Sequence, residues 1–248
     1  MDKLIYTAAS GLRAHMAAQA AIANNMANAS TIGFRAEKVD FDALLLKGQG
    51  FDSRQPTSEE VKDFDRSAGT MVSTGRSLDV AIPGDQWMAV QASDGSEAYT
   101  RRGDLQVSST GVLETGDGFT VMGSSGTPIT VPPASSMSIA NDGTLSIIPV
   151  GGDAKAPEII DRLKFASTKG SDTVKGVDNL LHVRGGGVLP QDDTATCESG
   201  MLEQSNVNMT QALVDMIENQ RSYEVQANLI KSTNDMDQSG ASLMRLPS

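Results

Sequence analysis

Two histidines, one cysteine and a few acidic or glycine-rich stretches are the residues of this 248-residue chain that could do chemistry. His15 and His182 lie in segments of different type, and neither sits in a His-x-x-x-His or Cys-His spacing that would hold a metal. Cys197 stands alone, so the chain forms no intrachain disulfide and no cysteine-rich zinc site; it reads as a small unreactive side chain. Gly185-Gly186-Gly187 follows Arg184 but lacks the Gly-Lys-Ser/Thr ending of a phosphate loop, so it reads as a turn. Asp192-Asp193 reads as a solvated acidic turn, and no Gly-x-Ser-x-Gly nucleophile elbow occurs. The Asp-Gly pairs at 94–95, 117–118 and 142–143 are hairpin signals rather than a calcium loop. Without convergent titratable groups the expectation is no enzyme, no cofactor and no metal.

Composition narrows the partners. The net charge of −11, with no basic run longer than Arg101-Arg102, argues against nucleic acid and against anionic membrane surfaces. Apolar residues make up 39% and aromatics 4%, so Leu, Val, Ile, Ala and Met must fill the core in thin layers. No apolar run approaches the length of a membrane span. Met1-Asp2-Lys3 is not a basic leader, and Ala14–Ala23 is interrupted by His15 and Gln19, so no cleaved secretory signal is expected.

The elements that would position any site are of two kinds. Residues 1–30 read as a helix, Ala-rich over 8–29, with a repeat at spacings of three and four through Ile5, Ala8, Leu12, His15, Gln19, Ile22, Met26 and Ala29. That helix should end near Asn28, before the turn chemistry of Ser30-Thr31-Ile32-Gly33. His15 falls on the apolar side and reads as a satisfied seam residue. At the other end Met209, Leu213, Met216, Gln220, Tyr223, Ala227, Ile230, Asn234, Asp237, Ala241 and Met244 follow the same spacing. Asn208 with Gln211 three residues later predicts the helix start. Polar seam positions such as Gln220 and Asn234 are tolerable where they set register between subunits.

Between the ends the period changes to two. Leu78-Val80-Ile82, Trp87-Ala89, Tyr99, Leu105–Val107, Val112-Leu113, Phe119–Val121, Ile129–Val131, Thr144–Ile148 and Ile159–Phe165 are short runs bounded by Gly, Asp, Ser or Pro. They predict an antiparallel barrel or sandwich. Residues 47–66 read as a loop or adaptable arm. The expected fold class is therefore α+β, with long terminal helices forming a coiled-coil-like domain around an inserted all-β domain. The expected division is residues 1–34 and 203–248 for the helical domain, 35–75 for a connecting arm and 76–202 for the β-domain.

Several stretches carry a family resemblance. Ala9-Ser10-Gly11-Leu12-Arg13-Ala14 and Ala23-Asn24-Asn25-Met26-Ala27-Asn28-Ala29-Ser30-Thr31-Ile32-Gly33-Phe34-Arg35 resemble the N-terminal signature of the flagellar rod and hook axial proteins. Leu202-Glu203-Gln204-Ser205-Asn206-Val207-Asn208, Met216-Ile217 and Gln220-Arg221-Ser222-Tyr223-Glu224 resemble the other end of the same family, and Leu78–Ile82, Tyr99-Thr100-Arg101 and Gly103–Gln106 suit its middle. The chain departs from the family at Ala29, where Val is frequent, and at Arg102, where a small or polar residue is usual. Chain length and the opening Met1–Gly11 suit a rod subunit, with a distal rod or hook-type relative as the alternative.

The resemblance implies a structural axial subunit of the flagellar basal body. Such a subunit passes unfolded through the flagellar type III export apparatus without a cleaved leader and assembles in the periplasm. Its terminal helices would join other copies of itself and neighbouring rod proteins in a hollow helical shaft that transmits torque. The expected assembly residues are Leu12, Ile22, Met26, Leu213, Met216, Tyr223 and Ile230 for the seams. Asn24, Asn25, Asn28, Gln204 and Asn206 are expected to hydrogen-bond between subunits. The rival from another class is a secreted binding module using an aromatic cleft on the β-domain.

Overall fold

A computed structural model describes residues 2–43, 57–152 and 156–244. These fall into two compact units, one of Met1–Ala27, Glu37–Asp63 and Asn208–Ser248, the other of Asn28–Ala36 and Phe64–Val207.

The first unit holds the two helices, α1 (Asp2–Ala27) and α2 (Met209–Met244), and a two-stranded sheet of Glu37–Ala43 and Thr57–Phe64. Alanine supplies the propensity for α1, since it gives up no side-chain freedom in a helix. Asn208 caps α2: its Oδ1 accepts the N–H groups of Thr210 at 3.0 Å and Gln211 at 3.2 Å, satisfying two of the otherwise unpaired first-turn donors. The strand Thr57–Phe64 occupies most of the described part of the range expected as a loop over 47–66; residues 47–56 lie outside the described ones.

The expected α+β class with a coiled-coil-like helical domain does not hold. Among the described residues there are only these two helices against seventeen strands in five sheets, so the chain is mainly β. Nor do the helices form a coiled-coil-like domain. In such a domain large apolar side chains fill the seam. Here α1 buries Ala8, Ala14 and Ala21, and α2 buries Ala212 and Thr233. Leu213, Val214, Ile217, Tyr223, Val225, Leu229 and Met236 of α2 are exposed. Small side chains bring the backbones close without burying the area that a self-sufficient helical seam needs.

The second unit is antiparallel β. Its largest sheet runs Thr173–Lys175, Leu181–Val183, Glu97–Thr100, Gln86–Gln91, Thr120–Val121, Leu113–Thr115 and Leu105–Val107, and Phe165–Ser167 also pairs with Gln86–Gln91. A three-stranded sheet holds Ala134–Ile139, Thr144–Pro149 and Glu158–Arg162. Ile129–Val131, expected as a strand, contributes only a bridge between Thr130 and Val112. One core lies among Val80, Ile82, Met88, Val90, Leu105, Leu113, Leu145 and Phe165. A second gathers Phe64, Trp87, Tyr99, Met122, Leu181 and Leu189.

Two late strands stitch this unit to its beginning. Met201–Glu203 pairs with Met71–Ser73, and Glu198–Ser199 with Val80–Ala81, each as a separate two-stranded sheet.

Candidate functional site

In the helical unit the contact between α1 and α2 is polar at its centre. His15 Nδ1 and Asn219 Oδ1 are 2.8 Å apart, and Asn219 Nδ2 donates to the His15 carbonyl and to Gln19 Oε1, both at 2.9 Å. Gly11 faces Gln226 so closely that a Cβ there would meet Gln226 Nε2 at 2.0 Å. Ala212, Asn219, Gln226 and Thr233 are spaced by seven, which places them on one side of α2. Beside this line an open, largely apolar groove of about 530 Å³ is lined by His15, Met16, Gln19, Ala20, Ala23, Asn219, Gln220 and Tyr223.

The expected assembly residues take varied places. Leu12, Ile22 and Met26 are half-buried on α1, as are Met216 and Ile230 on α2; Leu213, 45% exposed, and Tyr223 face outward. The amides have partners within the chain. Asn25 grips the backbone of Glu37 at both ends, accepting its N–H at 2.8 Å and donating to its carbonyl at 3.0 Å. Asn24 Nδ2 donates to Glu37 Oε1 at 2.6 Å. Asn28 Oδ1 accepts the Thr31 hydroxyl at 3.1 Å. Asn206 accepts the Ala36 N–H at 2.8 Å and donates to the carbonyls of Asp65 and Ser67 at 3.1 and 3.0 Å. Gln204 is half-buried, and its backbone N–H donates to the Thr70 carbonyl at 2.9 Å.

The β unit contains a feature that residue patterns alone do not reveal: a buried charge knot around Glu203. Its Oε1 lies 2.6 Å from Arg35 Nη2 and its Oε2 lies 2.7 Å from Arg101 Nε. The Gly69 N–H donates to Oε1 at 2.8 Å. Arg101 donates further to the carbonyls of Gly84 at 2.9 Å, Gln86 at 2.7 Å and Ile82, and its guanidinium stands over Trp87 at 5.7 Å. Burial pushes the Arg35 pKa down to about 10, the nearby Arg101 charge adds to the fall, and Glu203 opposes it. Lys175 Nζ lies 3.6 Å above the Phe34 ring and donates to the Arg35 carbonyl at 3.1 Å. The signal for the knot was present in the sequence, because Arg35, Arg101 and Glu203 each lie inside one of the family-like stretches. Nothing in their spacing says that they meet.

A second buried pair, Lys164 and Glu97 at 2.7 Å, is joined by the Tyr99 hydroxyl, which donates to Glu97 Oε1 at 2.8 Å and accepts the Leu189 N–H at 2.6 Å. Burial raises the Tyr99 pKa, so this phenol stays protonated. Trp87 is buried in its core, so it does not open an aromatic cleft. No described helix is long and apolar enough to cross a membrane.

Polar residues here serve to tie chain segments together, and among the described residues α2 carries more of the exposed large apolar side chains than any other element. That arrangement defines the class of a structural, interface-forming subunit. Residues 5–35 match the flagella basal body rod protein family, residues 81–147 the D1 domain of flagellar hook protein FlgE/F/G, and residues 198–243 the C-terminal region of the flagellar basal body rod FlgEFG proteins. Flagellar basal-body rod protein FlgF of Escherichia coli is 40% identical over 241 residues, which is 95% of each chain. FlgF of Salmonella typhimurium is 38% identical over the same shares, and rod protein FlgG of Bacillus subtilis is 30% identical over 99% of this chain and 100% of its own. The chain belongs to the flagellar basal-body rod proteins, in the FlgF group, and is a structural subunit of the rod.

Proposed function

We propose that the helical unit makes the joints by which this subunit enters the rod. The observation that carries this reading is the set of large apolar side chains that α2 leaves exposed, Leu213, Val214, Ile217, Tyr223, Val225, Leu229 and Met236, more than any other described element exposes. Leu12, Ile22, Met26, Met216 and Ile230, half-covered within one chain, would be completed by neighbours. The partners are other copies of this chain and adjacent rod proteins, packed into a hollow helical shaft that carries torque. The subunit reaches its place through the flagellar type III export apparatus and performs no catalysis. Asn24 and Asn25 hold Glu37 within the helical unit, and Asn28 and Asn206 fix segments of the β unit.

Leu213→Asp tests the joint. Its side chain is outward, so the isolated variant should keep wild-type circular dichroism and thermal midpoint while failing to enter purified basal bodies. Incorporation at wild-type levels would rule the surface out.

A further inference from the structure

Glu203 gathers stretches of chain that are distant in sequence. Its carboxylate holds Arg35, Arg101 and the Gly69 N–H, and its carbonyl accepts the Gly33 N–H at 2.8 Å. Arg35, Arg101 and Glu203 are 3%, 1% and 1% exposed, so one carboxylate balances two guanidinium groups out of water. Without residue 203 the closed β unit would bury Arg101 against carbonyl dipoles with no carboxylate in contact. Leaving a buried charge unpaired in this way shifts a folding equilibrium by roughly 150- to 5000-fold. That is a large part of the folding constant of an ordinary domain.

The same late segment supplies other missing partners. Met71–Ser73 and Val80–Ala81 find their only strand partners among the described residues in 198–203. The Cys197 N–H donates to the Asn141 carbonyl at 2.8 Å, and Asn206 ties Ala36 to Asp65 and Ser67.

We propose that Glu203 is a folding gate: the β unit does not close around Arg101 until the segment carrying residue 203 has arrived. A chain emerging N-terminus first, from whatever passage, then stays open until nearly all of residues 28–207 is free. This inference rests on the knot and its burial and is independent of how the helices assemble.

Refolding of the full chain from urea, followed by pulsed hydrogen exchange and by the emission of Trp87, tests it. Amides of Gln86–Gln91 and Glu97–Thr100 are expected to gain protection in the same phase as Met201–Glu203. Glu203→Ala should slow that phase by about 100-fold or abolish it. Because that variant can fail to fold at all, the apolar triple variant Arg35→Met, Arg101→Met, Glu203→Met is the second arm. With no charge to neutralise it should fold, and its 86–100 amides should be protected before those of 201–203. Three outcomes overturn the gate: early protection of 86–100 in the wild type, a Glu203→Ala chain that folds at the wild-type rate and only unfolds faster, or a triple variant that keeps simultaneous protection.

Discussion

Arg101 Nε and Glu203 Oε2 meet at 2.7 Å across 102 residues of sequence, with each side chain 1% exposed. The pair fixes the C-terminal strand of the β unit against the turn at 82–86, because three further guanidinium N–H groups are taken by the carbonyls of Ile82, Gly84 and Gln86. Lysine carries the same charge but not this fork of donors. Arg101→Lys should therefore destabilise the unit by about 2–3 kcal/mol. A lower urea midpoint with Trp87 emission as the probe is the expected result; an unchanged midpoint would show that charge alone suffices.

Gly33 is held at φ +68°, and a Cβ there would lie 2.5 Å from the backbone of Arg101. Gly33→Ala meets both the left-handed penalty and a backbone that cannot step aside. The expected cost is about 2–4 kcal/mol, read as a drop in thermal midpoint of the β unit. A loss well under 1 kcal/mol would mean that the 31–35 segment moves freely.

Cys197 is buried, and that burial pushes its pKa from the ordinary 9.0 up to about 11. Between those values the native thiol keeps its proton while the unfolded one loses it. The native state then binds more protons, so stability falls as pH rises from about 9 to about 11, by up to about 2–3 kcal/mol. Urea titrations across that window should show the fall, and Cys197→Ala should flatten it. The thiol should also resist alkylation in the native protein and react once unfolded.

Asn219 satisfies two groups of α1, the His15 carbonyl and Gln19 Oε1, while its own Oδ1 faces His15 Nδ1. Asn219→Ala removes all three of these cross-helix contacts and should weaken the helix pair by about 1–2 kcal/mol. Hydrogen exchange along α1 and α2 is the measurement. Leu213→Ala, on the outward side, should change exchange by less than about 0.5 kcal/mol. Equal effects of the two would overturn the assignment of the packed face.

Local signals were legible where a short stretch of chain settles them. The Asn208 cap follows from one side chain and two nearby N–H groups, and the strands at 86–91, 105–107 and 144–149 follow from alternation between turn residues. The fold class was not legible. A three-four spacing of Leu213, Met216 and Tyr223 describes an apolar stripe, and such a stripe is compatible with packing inside the chain or against a neighbour. In the structure α2 turns Ala212 and Thr233 inward and leaves Leu213 and Tyr223 out.

The sequence by itself determined the helix-forming ends, the β-rich middle, the acidic character and the family-like stretches, because propensity, period and composition act over a few neighbouring residues. Only the tertiary structure decided which face of α2 packs, where the amides of Asn24, Asn25 and Asn206 go, and that Arg35, Arg101 and Glu203 share one dry site. The reason is physical. Close approach through small residues and the pairing of buried charges depend on what lies opposite in space, and a partner 102 residues away leaves no periodic trace along the chain.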